Sequence, residues 1–183
     1  MIYYIADLHI GHKNAISFDN RPFRDVKQME KVILNNWNNK ILPNDDVYIL
    51  GDVFYHYPDN KRQFIMKLSG RLHLIIGNHD RGLLAESPVI SLFESVDMIK
   101  RIDDNGRVVI LCHYPIADWD QKYRGSYHVY GHVHSNVNET TRFMMKQERA
   151  FNAGCMINGY APCTLEELEV NKAKFIDDKH IPI

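Results

Sequence analysis

Five short polar segments carry most of the side chains capable of chemistry: DLHIGH at 7–12, GD at 51–52, GNHD at 77–80, HYP at 113–115 and GHVH at 131–134. Six of the ten histidines lie in them, at 9, 12, 79, 113, 132 and 134. Asp7, Asp52, Asn78 and Asp80 accompany them. Carboxylates, an amide and imidazoles, with no thiolate, form a donor set suited to Mn²⁺, Fe or Zn²⁺ and unlike a structural cysteine zinc site. These donors are too many for one small open site and fit two ions sharing a bridging carboxylate. Two divalent ions with Asp7, Asp52 and one hydroxide leave a net charge of about +1, which attracts an anionic phosphate. Two ions ~3.5–4 Å apart can clamp both oxygens of an in-line displacement and lower the pKa of water from ~15.7 toward ~7. That is worth roughly 12 kcal/mol at ~1.36 kcal/mol per unit. Phosphate ester hydrolysis is among the slowest uncatalysed reactions and needs a contribution of this size.

The elements before these segments explain how they could meet. Residues 2–6, 47–50 and 72–76 read as apolar strands, with helices over about 26–39 and 59–68 between them. This β-α-β-α-β order favours a parallel core with right-handed crossovers. Further strands are expected at 96–102 and 107–112, joined by the hairpin signal DDNG, and at 127–130, about 137–144 and about 148–153. Thr164, with Glu167 three residues on, predicts a capping box opening a short helix. YYIA, VYIL, LHLII, VVILC and HVY are each followed by one of the polar segments. Ligands in open α/β sheets bind beyond the carboxyl ends of the strands, so a shared orientation would bring the polar groups together. In an extended segment His132 and His134 would point the same way and could grip one object.

The chain has 183 residues, 45% of them hydrophobic, enough for one α/β domain over 1–183 with a sizeable core. Its 22 basic and 23 acidic side chains nearly balance, unlike a dedicated non-specific nucleic-acid binder. Cys112, Cys155 and Cys163 have no paired spacing and read as reduced thiols. Asp7 interrupts the apolar start, and no run approaches the ~20 apolar residues of a membrane span. A cytoplasmic protein without a membrane partner is the expectation.

These motifs, in this order, resemble the calcineurin-like metallophosphoesterases, whose pattern runs D-x-H, GD-x-x-D, GNH-D/E, a lone His, and G-H-x-H. Here it reads Asp7-Leu8-His9, Gly51-Asp52, Gly77-Asn78-His79-Asp80, His113 and Gly131-His132-Val133-His134, spanning residues 2 to about 160. The DLHIGH start and FDNRPF segment are similar to the small, cap-less bacterial and phage members. The resemblance implies a four-layer α/β/β/α sandwich of two mixed sheets and two divalent ions, Mn first, with Fe, Zn, Ni or Co as alternatives. It implies that Asp7, His9, Asp52 and His134 hold one ion, that Asp52, Asn78, His113 and His132 hold the other, and that His79 assists the leaving group. The implied substrate is a phosphorylated small molecule or nucleotide, cleaved as a mono- or diester.

One position departs from the pattern. The second Asp of GD-x-x-D is Tyr55 here, so either Tyr55 or Asp80 is left to orient His79. The GDxxDRG segment of serine/threonine protein phosphatases is absent. His12 and Arg21 are further candidates for substrate contact, against a solvent-facing imidazole and a loop-tying salt bridge. Phe54, Tyr55, Tyr114 and Trp119 could stack on a base or simply pack. His56, His73, His128 and His180 lack motif support and read as structural or surface residues. The competing readings are a small nuclease or cyclic-nucleotide phosphodiesterase with the same site, and a scaffold protein with the same fold.

Overall fold

The computed structural model describes residues 1–57 and 60–182. The strands are β1 (Ile2–Ile5), β2 (Asp46–Ile49), β3 (Arg71–Ile75), β4 (Ser95–Asp97), β5 (Ile99–Asp104), β6 (Arg107–Cys112), β7 (Tyr127–Tyr130) and β8 (Ala150–Asn152). The helices are α1 (Lys13–Phe18), α2 (Val26–Asn38), α3 (Lys61–Ile65), α4 (Arg81–Leu84), α5 (Ser87–Ile90), α6 (Glu139–Met145) and α7 (Leu165–Asp178). Two four-stranded sheets form, in the orders β1-β2-β3-β4 and β5-β6-β7-β8. The first is wholly parallel. The second is mixed, with β5 antiparallel to β6 and the remaining pairs parallel.

Alternation along the strands builds the layers. In β1, Tyr3 and Ile5 face one way, against Met29, Ile33 and Trp37 of α2. Tyr4 and the following Ala6 face the other way, into a core shared with Val109, Leu111, Val129 and Phe151 of the second sheet. A period of two residues per face requires this division. On the outer face of the second sheet, Ile110, Tyr130 and Ala150 pack against Trp119, Val133 and Met144. The result is an α/β sandwich with two sheets back to back and helices outside.

Several elements differ from the sequence reading. The strand expected over 96–102 is two strands, broken at Met98. β4 pairs with β3 in the first sheet, and β5 pairs with β6 in the second. The chain crosses between sheets there, which apolar alternation alone does not reveal. The strand expected at 137–144 is helix α6. The Asn138 side chain accepts the Thr141 N–H and caps it, outweighing the β-preference of the two threonines. The capping box at Thr164 and Glu167 is present, but it opens a helix of 14 residues rather than a short one. The short helices α1, α4 and α5 were not foreseen. Of the helix expected over 59–68, residue 59 lies outside the described residues, and α3 ends at Ile65. The DDNG hairpin forms, with Asn105 and Gly106 both left-handed (φ 54° and 83°), the conformation this pair favours.

Candidate metal centre

The polar segments follow β1, β2, β3, β6 and β7 and meet at one end of the sandwich. Asp7 and Asp52 are fully buried. His9 Nε2 lies 3.6 Å from Asp52 Oδ2, and His113 Nε2 lies 3.7 Å from the same oxygen. Asp52 therefore stands between two groups of ligand candidates. On one side His9 Nε2 faces His134 Nε2 at 3.2 Å, and His134 Nε2 is 3.9 Å from Asp7 Oδ1. On the other side His113 Nε2 and His132 Nδ1 each lie 3.0 Å from Asn78 Oδ1. Asp7, His9 and His134 form one compact potential ligand group, and Asp7, Asp52 and His113 form another.

The backbone is bent to allow this. Asp7, His9, Asp52, His132 and His134 all have left-handed φ, between 50° and 70°. Such residues cost about 1–3 kcal/mol each and concentrate at functional sites. The left-handed turns at 132 and 134 replace the extended segment expected there. They send His132 and His134 to opposite sides of the cluster rather than to one shared grip. Gly51 is itself left-handed, and a Cβ there would lie 2.5 Å from His113 Nδ1. At Gly131 a Cβ would lie 2.6 Å from Ala6 Cβ. Both motif glycines are therefore set by close approach.

Hydrogen bonds fix the imidazole tautomers in a direction that suits a cation. His113 Nδ1 donates to the Leu50 carbonyl at 2.7 Å, and His134 Nδ1 donates to Asp19 at 3.0 Å. Their Nε2 atoms are then acceptors, and they face carboxylate oxygens and another imidazole. With its proton on Nδ1, His113 turns the Nε2 lone pair toward the oxygens of Asn78 and Asp52, and such a convergence of acceptors repels unless a positive ion joins it. The residues present thus fit divalent metal. Burial raises the pKa of Asp7 to about 6, against the lowering effect of His134 and His113. Burial, then the charges of His134 and Arg21, lowers His9 to about 2. Burial also lowers His132, with His113 adding to the effect. His134 is the exception. Burial pulls it down, but the Asp19 hydrogen bond and the Asp7 and Asp19 charges carry it above its ordinary value.

The remaining candidates take definite places. His79 is exposed at the rim, its N–H donating to Asp52 Oδ1 at 2.9 Å and its Nε2 3.9 Å from Asp52 Oδ2. Tyr55 meets the His79 ring edge-on at 5.0 Å and stacks on His12 at 3.7 Å. Asp80 is spent on the main chain, accepting the N–H groups of Asp52, Val53 and Gly77 at 2.8–3.0 Å. It ties the GD loop to the GNHD loop. His12 lies beside His9, half-buried, with a buried Nδ1 that has no hydrogen-bond partner. Arg21 is buried, and all five of its N–H groups face protein acceptors: Asp19, the carbonyls of Asp7 and Leu8, and Met29 Sδ. None is left for a substrate. Sequence reasoning missed Asp19. Its signal, a carboxylate two residues before Arg21, is short-range, whereas its partner His134 is 115 residues away.

Fold and site together define an α/β two-sheet sandwich with a candidate metal centre at the ends of its strands. The chain belongs to the family of an uncharacterized protein, MJ1445, of Methanocaldococcus jannaschii. The two are 30% identical over 167 residues, covering 90% of this chain and 87% of that one. The gene 66 protein of Mycobacterium phage L5 is 28% identical over 160 residues, covering 73% of this chain and 77% of the phage protein. Among solved structures, AQ665 of Aquifex aeolicus, a protein of unknown function, superposes with a TM-score of 0.72 at 27% identity. The match covers 93% of this chain and 98% of that one. No family model matches the chain.

Proposed function

We propose that the protein is a phosphoesterase dependent on two divalent ions, acting on phosphate mono- or diesters. The observation that carries the reading is the convergence of imidazole nitrogens and buried carboxylates around Asp52. Asp7, His9, Asp52 and His134 would hold one ion, and Asp52, Asn78, His113 and His132 the other, with Mn²⁺ the first choice. When bound, such ions supply Lewis acidity and a strong oxygen nucleophile at neutral pH. Asp52 holds the two halves together and fixes the His79 loop through its Oδ1. His79 reaches solvent at the rim and is placed to give a proton to, or hydrogen-bond, a departing ester oxygen. Beside it lies a cavity of about 320 Å³, with Tyr55, His56, Lys61, Asn78, Gly82 and Leu83 in its wall. It supports a small organic leaving group such as that of a phosphorylated metabolite or nucleotide. Three buried free thiols suit the reducing cytoplasm. Among the described residues no helix is long and apolar enough to cross a membrane.

The test is hydrolysis of p-nitrophenyl phosphate and bis(p-nitrophenyl) phosphate with added Mn²⁺. Asp52→Asn is expected to lower kcat/KM by at least about 10³-fold. His79→Ala should lower it about 10²–10⁴-fold, the range for a lost general acid, with metal binding retained. Equal activity in wild type and both variants removes the proposal. Metal binding without turnover of any ester points to the scaffold reading.

A further inference from the structure

Asp19 and Arg21 are both buried and belong to none of the five motif segments. Asp19 follows α1 as its C-cap. Both of its carboxylate oxygens lie 3.0 Å from His134 Nδ1. Its Oδ2 also accepts from Arg21 Nε at 3.0 Å and Nη2 at 2.8 Å. The same guanidinium donates through Nη2 to the Asp7 carbonyl at 3.0 Å and through Nη1 to the Leu8 carbonyl at 2.9 Å. Those two carbonyls belong to the turn in which Asp7 and His9 adopt left-handed φ. One buried ion pair thus touches two of the four ligand candidates on its side, the ring of His134 and the main chain of Asp7, and also the Leu8 carbonyl that links Asp7 to His9.

We propose that Asp19 and Arg21 are positioning residues that set the metal affinity of the Asp7–His9–His134 side specifically. This rests on the reading of the cluster as a metal centre. Asp19 accepts only, so it holds the proton of His134 on Nδ1 and keeps the Nε2 lone pair pointing at the cluster. Arg21 holds the Asp19 carboxylate in place and pins the strained turn that presents Asp7 and His9. A buried ion pair is weak evidence for stability, since apolar replacements often match it. Here both members end on ligands, which gives the pair a functional use. On the other side Asp80 ties the main chain of the GD and GNHD loops, but among the described residues no carboxylate there backs a ligand imidazole from outside the cluster. His113 is fixed by a main-chain carbonyl, and His132 is exposed and meets only the Asn78 amide oxygen through its ring nitrogen. The two ions are therefore expected to bind unequally, with the Asp19-backed position filling first.

The experiment is Mn²⁺ titration of metal-free full-length protein by calorimetry, for wild type, Asp19→Asn and Arg21→Lys. Asp19→Asn keeps the side-chain volume but can present an amide N–H₂ to Nδ1. Outer-shell partners of metal-bound histidines typically contribute 10–100-fold in affinity. Asp19→Asn should weaken one of the two binding events by about that factor and leave the other within twofold. Arg21→Lys, which keeps charge but loses the fork, should weaken the same event less. The tautomer of His134 is an independent readout. In ¹⁵N-correlated NMR of the metal-free protein at pH 8, wild type should show the Nδ1–H form, and Asp19→Asn should shift it toward Nε2–H. Unchanged affinities with an unchanged tautomer overturn the proposal, as does equal weakening of both events, which marks general damage to the fold. Selective weakening in a protein that cleaves no ester leaves this inference standing and removes the phosphoesterase reading. Absence of any Mn²⁺ binding by wild type removes both.

Discussion

Two clusters of histidine and carboxylate among the described residues are built on opposite rules. One lies on the face of the first sheet. His73 Nδ1 is 3.0 Å from Ser95 Oγ, and its Nε2 is 3.1 Å from Asp46 Oδ1. Arg71 Nε bonds Asp46 at 2.8 Å, and Lys100 Nζ bonds Ser95 at 3.0 Å and Asp97 at 2.6 Å. Tyr48, His73 and Ser95 are register neighbours on adjacent strands, and Tyr48 stacks on His73 at 4.5 Å. Each acceptor meets a donor, on ordinary strand backbone. The other cluster, around Asp52, crowds imidazole nitrogens against carboxylate and amide oxygens and bends five ligand candidates into left-handed φ. The order Ser-His-Asp in the first cluster looks like catalytic machinery, yet its charges are balanced within itself. What separates a site from a structural network is an unbalanced inventory held by strained backbone.

The largest test of this contrast is metal-linked stability. An ion that binds only the folded state at 100 times its dissociation constant adds about 2.7 kcal/mol, so two ions at that excess add about 5 kcal/mol. Chemical denaturation with and without Mn²⁺ should show this increment in wild type. His9→Ala, which removes a ligand from the unbalanced cluster, should lose at least half of it. No metal-dependent increment in wild type would mean that the convergence around Asp52 is only an expensive polar core.

The same contrast explains what could be read along the chain. Each motif at Asp7, Asp52, Asn78, His113 and His132 is local: an apolar strand, then a polar group, with glycine before several of them. Strand direction supplies the convergence, so residue types and order sufficed to gather the ligand candidates. Asp19 was hidden because its meaning lies in a contact with His134, and Arg21 because a guanidinium is informative only once its acceptors are known. The break at Met98 was illegible for a related reason. Ser95–Asp97 and Ile99–Asp104 share one apolar pattern but choose different sheets, a choice made by partners at Leu74 and Val109. At 139–145 the threonines spoke for strand, and a single cap at Asn138 decided for helix.

His128 tests the balanced type of histidine in isolation. It is fully buried in β7, its Nδ1 donating to the Ile110 carbonyl at 2.9 Å and its Nε2 accepting the Ile116 N–H at 3.0 Å. Burial lowers its pKa to about 4, against these main-chain bonds. The unfolded chain takes up the proton near pH 6.5, and the folded one resists until about 4. Stability is therefore lost as pH falls through this window. Between pH 7.5 and 5 the loss from this residue is about 2 kcal/mol. His128→Gln, whose amide can donate and accept in the same places, should remove that part of the pH dependence in urea unfolding. An unchanged slope in the variant would show that His128 takes up its proton in the fold as readily as in the unfolded chain.

The smallest expected effect sharpens the comparison most. His73→Phe keeps a ring to stack on Tyr48 but deletes both hydrogen bonds of the sheet-face cluster. Asp46 still has Arg71, and Ser95 still has Lys100, so neither partner is left uncompensated. The cost should then be only the net value of the lost bonds, about 1–2 kcal/mol by urea unfolding, with no added penalty for an orphaned buried group. Mn²⁺ affinity and phosphate ester turnover should stay within twofold of wild type, because none of the residues involved lies among the Asp52 ligand candidates. A loss of Mn²⁺ binding or turnover in His73→Phe would join the two clusters into one network and end the distinction between them.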